Sequence, residues 1–551
     1  MLEQPILEKE TTESRTIQEF IDDLETLTLE IQELYLDNEI PFIVGLSGGK
    51  DSTATLQLVW NAIARLPEEK RTKLIYVITT DTLVENPIVS QWVRKSIELM
   101  KASAKKQRMP IEPHLLIPEI SETYWVGLVG RGYPAPRHSF RWCTPRLKVH
   151  PSNHFIRDIV RKNGEAIVIL GTRKTESTRR AAIMNKREQG KVKDRLCPHV
   201  HLPSSLLYTP IEDWRTDEVW MYLMQWENPW GNNNKDLFSM YRGATADNEC
   251  PLVVDTSTPS CGSSRFGCWV CTLVDKDKSM EAMIQNDEEK EWLQPLLDIR
   301  SELDPKNDRD KRDFRRIYGR VELFERKIQG ADKKTELQPI PGPYKKEWRE
   351  YLLRRLLEAQ VQVRQTAPPE MGEITLITPE ELSEIRRIWL EEKHEFEDSL
   401  PRIYQEVTGE AFIDRRPEGD RTLLGLDEWS VLEEVTDKDS MEFELLARLL
   451  NTERQYQNKG SRHGIYEALS KCFDISSREQ DKAITDAHFQ RAIKTATLEG
   501  NAEKVEDFIK HPEKADPNHP DNQPKPEPPP PTEQLSLGWG DIKFGSSAEN
   551  G

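Results

Sequence analysis

Short apolar runs alternate with segments of helical apolar spacing along the chain up to residue 225. The runs are residues 40–44, 73–81, 114–117, 166–171 and 206–211. Most are rich in Val, Ile and Leu and too short for a helix, which is typical of buried strands. Segments with apolar residues at helical spacing follow, for example residues 53–60 and 87–106. The pattern predicts an α/β fold, an open parallel twisted sheet flanked by helices, whose ligand lies beyond the carboxyl ends of the strands.

The rest of the chain reads as helices and loops. An amphipathic helix precedes the first strand, charged helical segments occupy 344–365, 378–396 and 440–505, and a Pro/Gly cluster at 339–343 marks a boundary. We therefore expect five regions: an N-terminal helix (1–37), the sheet domain (38–245), a cysteine-bearing insert with a helical extension (246–335), a helical C-terminal domain (344–510) and a disordered Pro-rich tail (511–551).

Composition narrows the class of protein. The chain has 551 residues, 36% of them hydrophobic and 31% charged, with a net charge of −18 at pH 7. No run approaches the ~20 apolar residues of a membrane helix, and the start lacks the basic and apolar parts of a signal peptide. We expect a cytoplasmic protein without a membrane partner. The acidic total argues against non-specific nucleic-acid binding by the whole surface.

The first strand and the helix after it are joined by a glycine turn that suits a phosphate. Such a turn aims backbone N–H groups and the positive end of a helix at one point. It is not a Walker A loop, because Lys50 is followed by Asp51. A Ser/Gly turn without a ligand is the plain alternative. The candidate residues are Ser47, Gly48, Gly49, Lys50, Asp51 and Ser52, with Asp81, Gly171 and Arg173 after later strands.

Four motifs in order carry a resemblance to a known family. Residues 47–52 resemble the SGGxDS PP-loop of ATP pyrophosphatases, and the chain continues with R-x-C-T-x-x-x-K at 141–148, G-x-R-x-x-E-S-x-x-R at 171–180 and P-I-x-D-W at 210–214. Together they resemble the PAPS reductase family over residues 38–225. The resemblance implies nucleotide binding at the loop, with Lys50 offering positive charge, Asp51 holding Mg²⁺ or a hydroxyl, and Arg173 and Arg179 clamping phosphates of ATP.

Beyond residue 225 the chain departs from an ordinary sulfonucleotide reductase, since its last cysteine is Cys472 and a long helical region follows the insert. It resembles the DndC family, the sulfurtransferases of bacterial DNA phosphorothioation, with the SspD family close by. This implies ATP pyrophosphatase activity, a [4Fe–4S] cluster and transfer of sulfur to a DNA phosphate. It also implies partners: a cysteine desulfurase as sulfur donor, an SMC-like ATPase and a small DNA-binding subunit.

Four cysteines are candidate metal ligands. Cys268 and Cys271 have the C-x-x-C spacing of zinc and iron–sulfur sites, and Cys250 and Cys261 precede them. Spacing alone does not choose between Zn²⁺ and a cluster; the resemblance favours the cluster. Ordinary core cysteines are the plain alternative. A second arrangement keeps Cys143 as a ligand and drops Cys250.

Cys143 stands among arginines, which lower the pKa of a thiol and favour the thiolate. We therefore predict that it carries or relays sulfur; a buried structural cysteine is the alternative. Residues 137–195 are basic despite the acidic total, so DNA contacts are predicted there. The candidates are Arg137, Arg141, Lys148, Lys186 and Arg187.

Other functions stay open at this point. A PAPS or APS reductase would release sulfite from a sulfonucleotide, and a tRNA thiolase would couple adenylylation to sulfur transfer onto RNA. A scaffold that binds ATP without releasing pyrophosphate is a non-enzymatic alternative.

Overall fold

A computed structural model describes most of the chain. The described residues are 15–176, 178–188, 196–199, 202–244, 267–305, 307–316, 321–327, 335–393, 395, 397–416, 431–432, 434–436, 441–457, 461–476 and 480–515. They divide into two compact units, one of residues 1–313 and 341–476, the other of residues 314–340 and 477–551. The predicted Pro-rich tail lies almost wholly outside the described residues.

The first unit is built on one six-stranded sheet. Its strands are β1 (Phe42–Gly45), β2 (Ile75–Thr80), β3 (Ile111–Leu116), β4 (Ala166–Ile169), β5 (Cys197–Pro198) and β6 (Ser205–Tyr208). The order across the sheet is β3-β2-β1-β4-β6-β5. All pairs are parallel except β5 with β6. The predicted α/β fold is therefore confirmed. Because β1 lies between β2 and β4, the strand order reverses at its carboxyl end.

Helices follow the strands much as the apolar spacing predicts. In the first unit they are α1 (Ile17–Leu36), α2 (Lys50–Ala64), α3 (Pro87–Gln107), α4 (His150–Asn163), α5 (Thr178–Glu188), α6 (Thr216–Gln225), α7 (Asn234–Gly243), α8 (Lys278–Asn286), α9 (Gln294–Leu303), α10 (Lys346–Thr366), α11 (Pro379–Arg387), α12 (Ser399–Thr408), α13 (Met441–Gln457) and α14 (Ile465–Ser476). α1 begins with a capping box in which Thr16 and Glu19 satisfy each other's backbone N–H groups. Three single π-helical turns, Val126–Gly130, Pro145–Val149 and Ile388–Glu392, interrupt the helices.

The larger core covers one face of the sheet. α2 is buried along nearly its whole length, with Leu56, Val59 and Trp60 almost inaccessible. α1 and α6 contribute to the same core through residues such as Phe20 and Trp220. A helix that is buried all round cannot shift without disturbing its neighbours. The start of α2 is therefore held rigidly at the end of β1.

A second core joins residues that are far apart in sequence. Trp125 and Leu128 pack with apolar side chains of α10 and α11, including Leu353. Two indole N–H groups fix the join: Trp125 donates to the carbonyl of Leu376 at 2.9 Å, and Trp389 to that of Val129 at 2.9 Å. The sequence prediction treats residues 344–510 as a separate helical domain. In the structure, 341–476 belong to the unit that contains the sheet.

The second unit is small. An antiparallel hairpin of β7 (Leu323–Lys327) and β8 (Thr335–Pro339) lies with α15 (Gln480–Leu498) and α16 (Ala502–Lys510). Arg491 of α15 donates to the carbonyl of Leu323 at 3.1 Å and to Glu325 at 2.6 Å. Among the described residues of both units, no helix is long and apolar enough to cross a membrane.

Candidate active site

The phosphate loop connects β1 to α2 at the point where the strand order reverses. In open α/β sheets this crevice is where ligands bind. Gly48 has φ +77°, and a Cβ there would lie 2.5 Å from Cγ2 of Val93, so only glycine fits. Ser47 and Ser52 close the loop, with their hydroxyl oxygens 2.9 Å apart and the Ser52 hydroxyl accepting from the Ser47 N–H at 3.1 Å. The predicted loop residues therefore form one tight turn.

Asp51 is held by an arginine from the next parallel strand. Arg173 follows β4, is 2% exposed, and its Nε lies 2.6 Å from Oδ1 of Asp51. The rest of its guanidinium donates to the hydroxyls of Thr175 (2.9 Å) and Thr216 (3.3 Å) and to the carbonyl of Trp214 (3.1 Å). The role of Arg173 as a phosphate clamp stays a prediction. Its contacts in the structure position Asp51.

Lys50 lies on the other side of Asp51, under an aromatic ring. Its Nζ is 3.3 Å from Oδ2 of Asp51 and 5.3 Å from the centroid of the Tyr241 ring. The backbone N–H of Lys50 donates to the Tyr241 hydroxyl at 3.2 Å. A tyrosine from α7 thus holds a backbone donor at the start of α2, the kind of donor that binds phosphate at a helix N-terminus. Sequence analysis missed Tyr241, because no local pattern links residues 191 positions apart.

Gly171 lets β4 approach the first turn of α2. A Cβ at this position would lie 2.6 Å from the carbonyl oxygen of Asp51 and 2.6 Å from Oγ1 of Thr55. Both contacts are far below normal van der Waals separation. Gly171 therefore lies next to the phosphate loop, and its lack of a side chain allows β4 to pack closely against α2.

Asp81 comes directly after β2 and borders a cavity of about 260 Å³. Its carboxylate accepts from Arg94 at 2.6 Å and from the N–H of Leu83 at 2.9 Å. Trp269 and the segment 371–381 close the cavity from the other side. Asp81 thus lies at the same edge of the sheet as the phosphate loop, and one of its oxygens is paired with the guanidinium of Arg94.

The cysteine pair packs on the segment that follows Asp81. The N–H of Trp269 donates to the carbonyl of Val84 at 3.0 Å, and the Sγ of Cys268 lies 3.5 Å from the Thr82 hydroxyl. The N–H of Cys271 donates to the carbonyl of Cys268 at 3.0 Å, which gives the tight turn expected of a C-x-x-C ligand pair. Burial, and next the Glu85 carboxylate, raise the pKa of the Cys268 thiol to about 12.

Cys143 lies with this pair, and it is not the activated thiol that its neighbours in sequence suggest. Burial raises the pKa of Cys143, and the thiol of Cys271 adds to the effect. All three thiols interact electrostatically with Tyr124, whose pKa is raised mainly by burial. Two of the basic neighbours form ion pairs: Arg137 with Asp308, and Lys148 with Glu85 while it also interacts with Cys268 and Cys143. The prediction of a lowered pKa at Cys143 is wrong.

The cysteine side chains of this region are of the chemical type that binds zinc or an iron–sulfur cluster. Cys143, Cys268 and Cys271 are free thiols and supply soft ligands. Within the described ranges, no group of three or more Cys, His, Asp or Glu side chains is close enough to hold one metal ion. The other predicted ligands, Cys250 and Cys261, lie outside those ranges. The set of four ligands therefore stays a prediction, with one pair arranged as expected.

The predicted DNA-contacting residues occupy the surface around Cys143 and on α5. Arg137, Arg141 and Lys148 are exposed and lie on the segment that contains Cys143. Lys186 is exposed on α5, while the side chains of Arg187 and Arg179 are outside the described part of the chain. Arg180 pairs with Glu176. The residues 137–148 thus place cations next to the thiols.

Comparison with known proteins agrees with this geometry. The phosphoadenosine phosphosulfate (PAPS) reductase domain family matches residues 41–273, the stretch from β1 through the cysteine pair. The match covers less than half of the chain, and this stretch is similar to a PAPS reductase domain. The match includes the phosphate loop, Cys143 and the pair Cys268 and Cys271, so the thiols and the loop belong to one domain.

Two individual proteins are similar to parts of this domain. An uncharacterized protein of Methanocaldococcus jannaschii is 27% identical over 203 residues, which cover 36% of this chain and 35% of that protein. The chain thus matches about a third of the relative's length. PAPS reductase from Candida auris, solved as a phosphate complex, has 14% identity and a TM-score of 0.24 over 38% of this chain and 87% of that one. The fold assignment rests on the strand order, not on this similarity.

Proposed function

We propose that the protein is an ATP-dependent sulfurtransferase that replaces a non-bridging oxygen of a DNA phosphate by sulfur, as the resemblance to the DndC family implies. The PAPS reductase-like domain already indicates a role in sulfur transfer or reduction. The observation that carries the proposal is that the cysteine pair and the phosphate loop lie at the ends of neighbouring strands. The cysteine pair packs on residues 82–85, directly after β2, and the phosphate loop follows the adjacent strand β1.

The chemistry requires a leaving group, because a phosphate oxygen alone leaves poorly. A non-bridging DNA oxygen attacks the α-phosphorus of ATP, and pyrophosphate leaves. A sulfur nucleophile then attacks the DNA phosphorus, and AMP leaves with the original oxygen. If the sulfur arrives as a persulfide from a cysteine desulfurase, an external thiol cleaves the remaining S–S bond. The protein must therefore bind pyrophosphate, orient DNA and admit sulfur at one place.

The residues of the phosphate loop suit the first step. The N-terminus of α2 and the ammonium of Lys50 would stabilise negative charge on the departing pyrophosphate. Asp51, which is held by Arg173, would hold Mg²⁺ in this step. In the second step, Arg141 and Lys148 beside Cys143 would contact the DNA backbone.

The three described thiols favour one of the two predicted arrangements. All three interact electrostatically with Tyr124, which supports Cys143 as a ligand beside Cys268 and Cys271, and the three thiols would have to move closer together to bind one metal ion. In this arrangement Cys250 is dropped and Cys261 is the further ligand. A [4Fe–4S] cluster held there would supply redox-active or Lewis-acidic iron close to the reacting sulfur, with Zn²⁺ as the alternative metal.

A sulfonucleotide reductase is the second candidate, since the matched domain family is named for that reaction. It would need a thiol that reaches the sulfonucleotide. The last cysteine, Cys472, is buried in α14 and donates to the carbonyl of Ala468 at 3.3 Å, so it does not suit that role. A tRNA thiolase is the third candidate.

Substrate competition separates these candidates. Protein purified without oxygen is given ATP with duplex DNA, single-stranded DNA or tRNA, and separately PAPS or APS with a thiol reductant. We expect pyrophosphate release to rise with DNA and no sulfite from either sulfonucleotide. Sulfite release, or stimulation by tRNA alone, would assign the protein to one of the rival classes. Lys50→Ala should abolish the DNA-stimulated release, and Lys174→Ala, which alters an exposed ion pair with Asp213, should not.

A further inference from the structure

A short turn next to Cys143 presents an aromatic side chain between cations. Residues 137–140 form this turn, closed by two backbone bonds: the N–H of Phe140 donates to the carbonyl of Arg137 at 2.8 Å, and the reverse pair is 3.3 Å apart. Phe140 is 46% exposed. A single exposed apolar residue is ordinary on a protein surface, so its surroundings must decide whether it has a role.

The turn is anchored on three sides. Arg137 forms an ion pair with Asp308 at 3.0 Å, and Asp308 is 3% exposed. The carbonyl of Pro136 accepts from the Thr272 hydroxyl at 2.6 Å, next to the ligand pair. Trp142 is buried and stacks on Tyr124 with centroids 5.4 Å apart. The backbone that carries Phe140 is therefore held rigidly, so little conformational entropy is lost when Phe140 binds a partner.

The charge around the ring has one sign. Arg141 and His138 flank Phe140, are exposed, and lie 2.9 Å apart through Nη2 and Nδ1. Between residues 132 and 148 the sequence has no Asp or Glu. In the described part of the chain, the acid that pairs with the turn is Asp308, which is buried. An anionic partner with an exposed planar group therefore fits this surface in both charge and shape.

We propose that this turn binds nucleic acid by stacking Phe140 on a nucleobase that has left the helical stack, while Arg141 contacts the flanking phosphate. An aromatic face binds any base, and a guanidinium suits a phosphate oxygen pair. The inference rests on the proposed function, since it takes DNA as the substrate. It adds that the reacting phosphate lies beside an unstacked base. Phe140, which stacks on that base, is three residues before Cys143 in the chain.

The test measures binding without ATP or a sulfur donor. Fluorescence anisotropy of the full chain is recorded with a short duplex, the same duplex with one unpaired base, and the single strand. We expect tighter binding to both probes with unpaired bases. Phe140→Ala should lose that preference by about fivefold to hundredfold, the range for truncating a stacking aromatic, and leave duplex binding unchanged. Phe140→Trp should retain it.

Two controls make the result specific. Phe473→Ala removes a phenylalanine that is 50% exposed on α14, and it should bind all three probes as the wild type does. Arg141→Ala should weaken all probes equally and lower the slope of log affinity against log salt by about one.

The proposal is overturned if Phe140→Ala binds every probe like the wild type, or if it weakens duplex binding as much as the rest. It is also overturned if the wild type binds none of the three probes and Phe140→Ala no longer binds a cysteine desulfurase. The turn would then be a surface that docks a protein. Because no sulfur transfer is measured, the stacking role can fail while DNA still becomes sulfurated. It can also hold in a protein that proves not to transfer sulfur.

Discussion

Arg173 and Asp51 form the contact that joins the two sides of the phosphate crevice. Arg173 follows β4, Asp51 begins α2 after β1, and their Nε and Oδ1 atoms are 2.6 Å apart. The contact crosses the point where the strand order reverses. It leaves Asp51 oriented between Arg173, which contacts Oδ1, and Lys50, which lies 3.3 Å from Oδ2.

Removing Arg173 should therefore damage both the fold and the site. In Arg173→Ala, a mostly buried carboxylate loses its partner, which costs roughly 3 kcal/mol of unfolding free energy. ATP binding should weaken with it, because Asp51 is no longer oriented. Chemical unfolding and a fluorescent ATP analogue measure the two effects. In the neighbouring control Lys174→Ala, an exposed pair is lost, at a cost below about 1 kcal/mol.

An outcome in which Arg173→Lys binds ATP as the wild type does would contradict this account. A lysine cannot donate to Asp51, Thr175, Thr216 and the Trp214 carbonyl together, since it lacks the planar guanidinium.

Gly171→Ala tests the packing of β4 against α2. The added methyl group would lie 2.6 Å from the Asp51 carbonyl oxygen, so the first turn of α2 must move. Overpacking of this kind costs about 1–3 kcal/mol, and ATP affinity should fall with stability. The control is Gly243→Ala in α7, where the nearest atom is the end of the Lys290 side chain at 3.9 Å. That change should be neutral or slightly stabilising. Equal ATP affinity in the two variants would refute a steric role for Gly171.

Tyr241→Phe tests whether the tyrosine hydroxyl competes with phosphate. The variant frees the N–H of Lys50, which now donates to that hydroxyl at 3.2 Å. ATP or pyrophosphate should then bind about twofold to tenfold more tightly, the worth of one hydrogen bond. Isothermal titration with pyrophosphate alone gives the most direct measure. Weaker binding in Tyr241→Phe would show that the hydroxyl instead donates to the phosphate.

The cysteine arrangement is tested by metal content. Protein purified without oxygen should be brown, and each of Cys143→Ser, Cys268→Ser and Cys271→Ser should lose iron and sulfide together. Cys197→Ser is the matched control and should keep both. If Cys143→Ser retains its iron, Cys143 is a sulfur carrier and not a ligand. Stoichiometric zinc in a colourless wild type would remove the cluster from the account.

Local patterns in the sequence were sufficient for the parallel strands and the loop, but not for the short antiparallel strand β5. The runs that contain Ile75–Thr80 and Ala166–Ile169 read as buried strands, and the glycines between β1 and α2 read as a phosphate turn. What it could not provide are contacts between distant segments. Examples are the indole of Trp389 on the carbonyl of Val129 and the hydroxyl of Tyr241 on the N–H of Lys50.

The charged residues show the same limit more sharply. The sequence predicts that Arg173 follows a strand near the phosphate loop, and only the structure reveals its contact with Asp51. Arginines beside Cys143 in sequence suggested an activated thiolate, whereas burial raises the pKa of that thiol. Sequence neighbours do not fix where a flexible cation points, so Arg137 could pair with Asp308 instead.

The most direct test of the proposed function follows the sulfur atom. The anaerobic protein is combined with ATP, Mg²⁺, DNA, a cysteine desulfurase and ³⁵S-labelled cysteine, and the DNA is digested and analysed by mass spectrometry for phosphorothioate-linked dinucleotides. The account predicts labelled phosphorothioate that depends on ATP and is lost in Lys50→Ala and Cys268→Ser. Label that appears in tRNA or in free sulfite, with none in DNA, would contradict it.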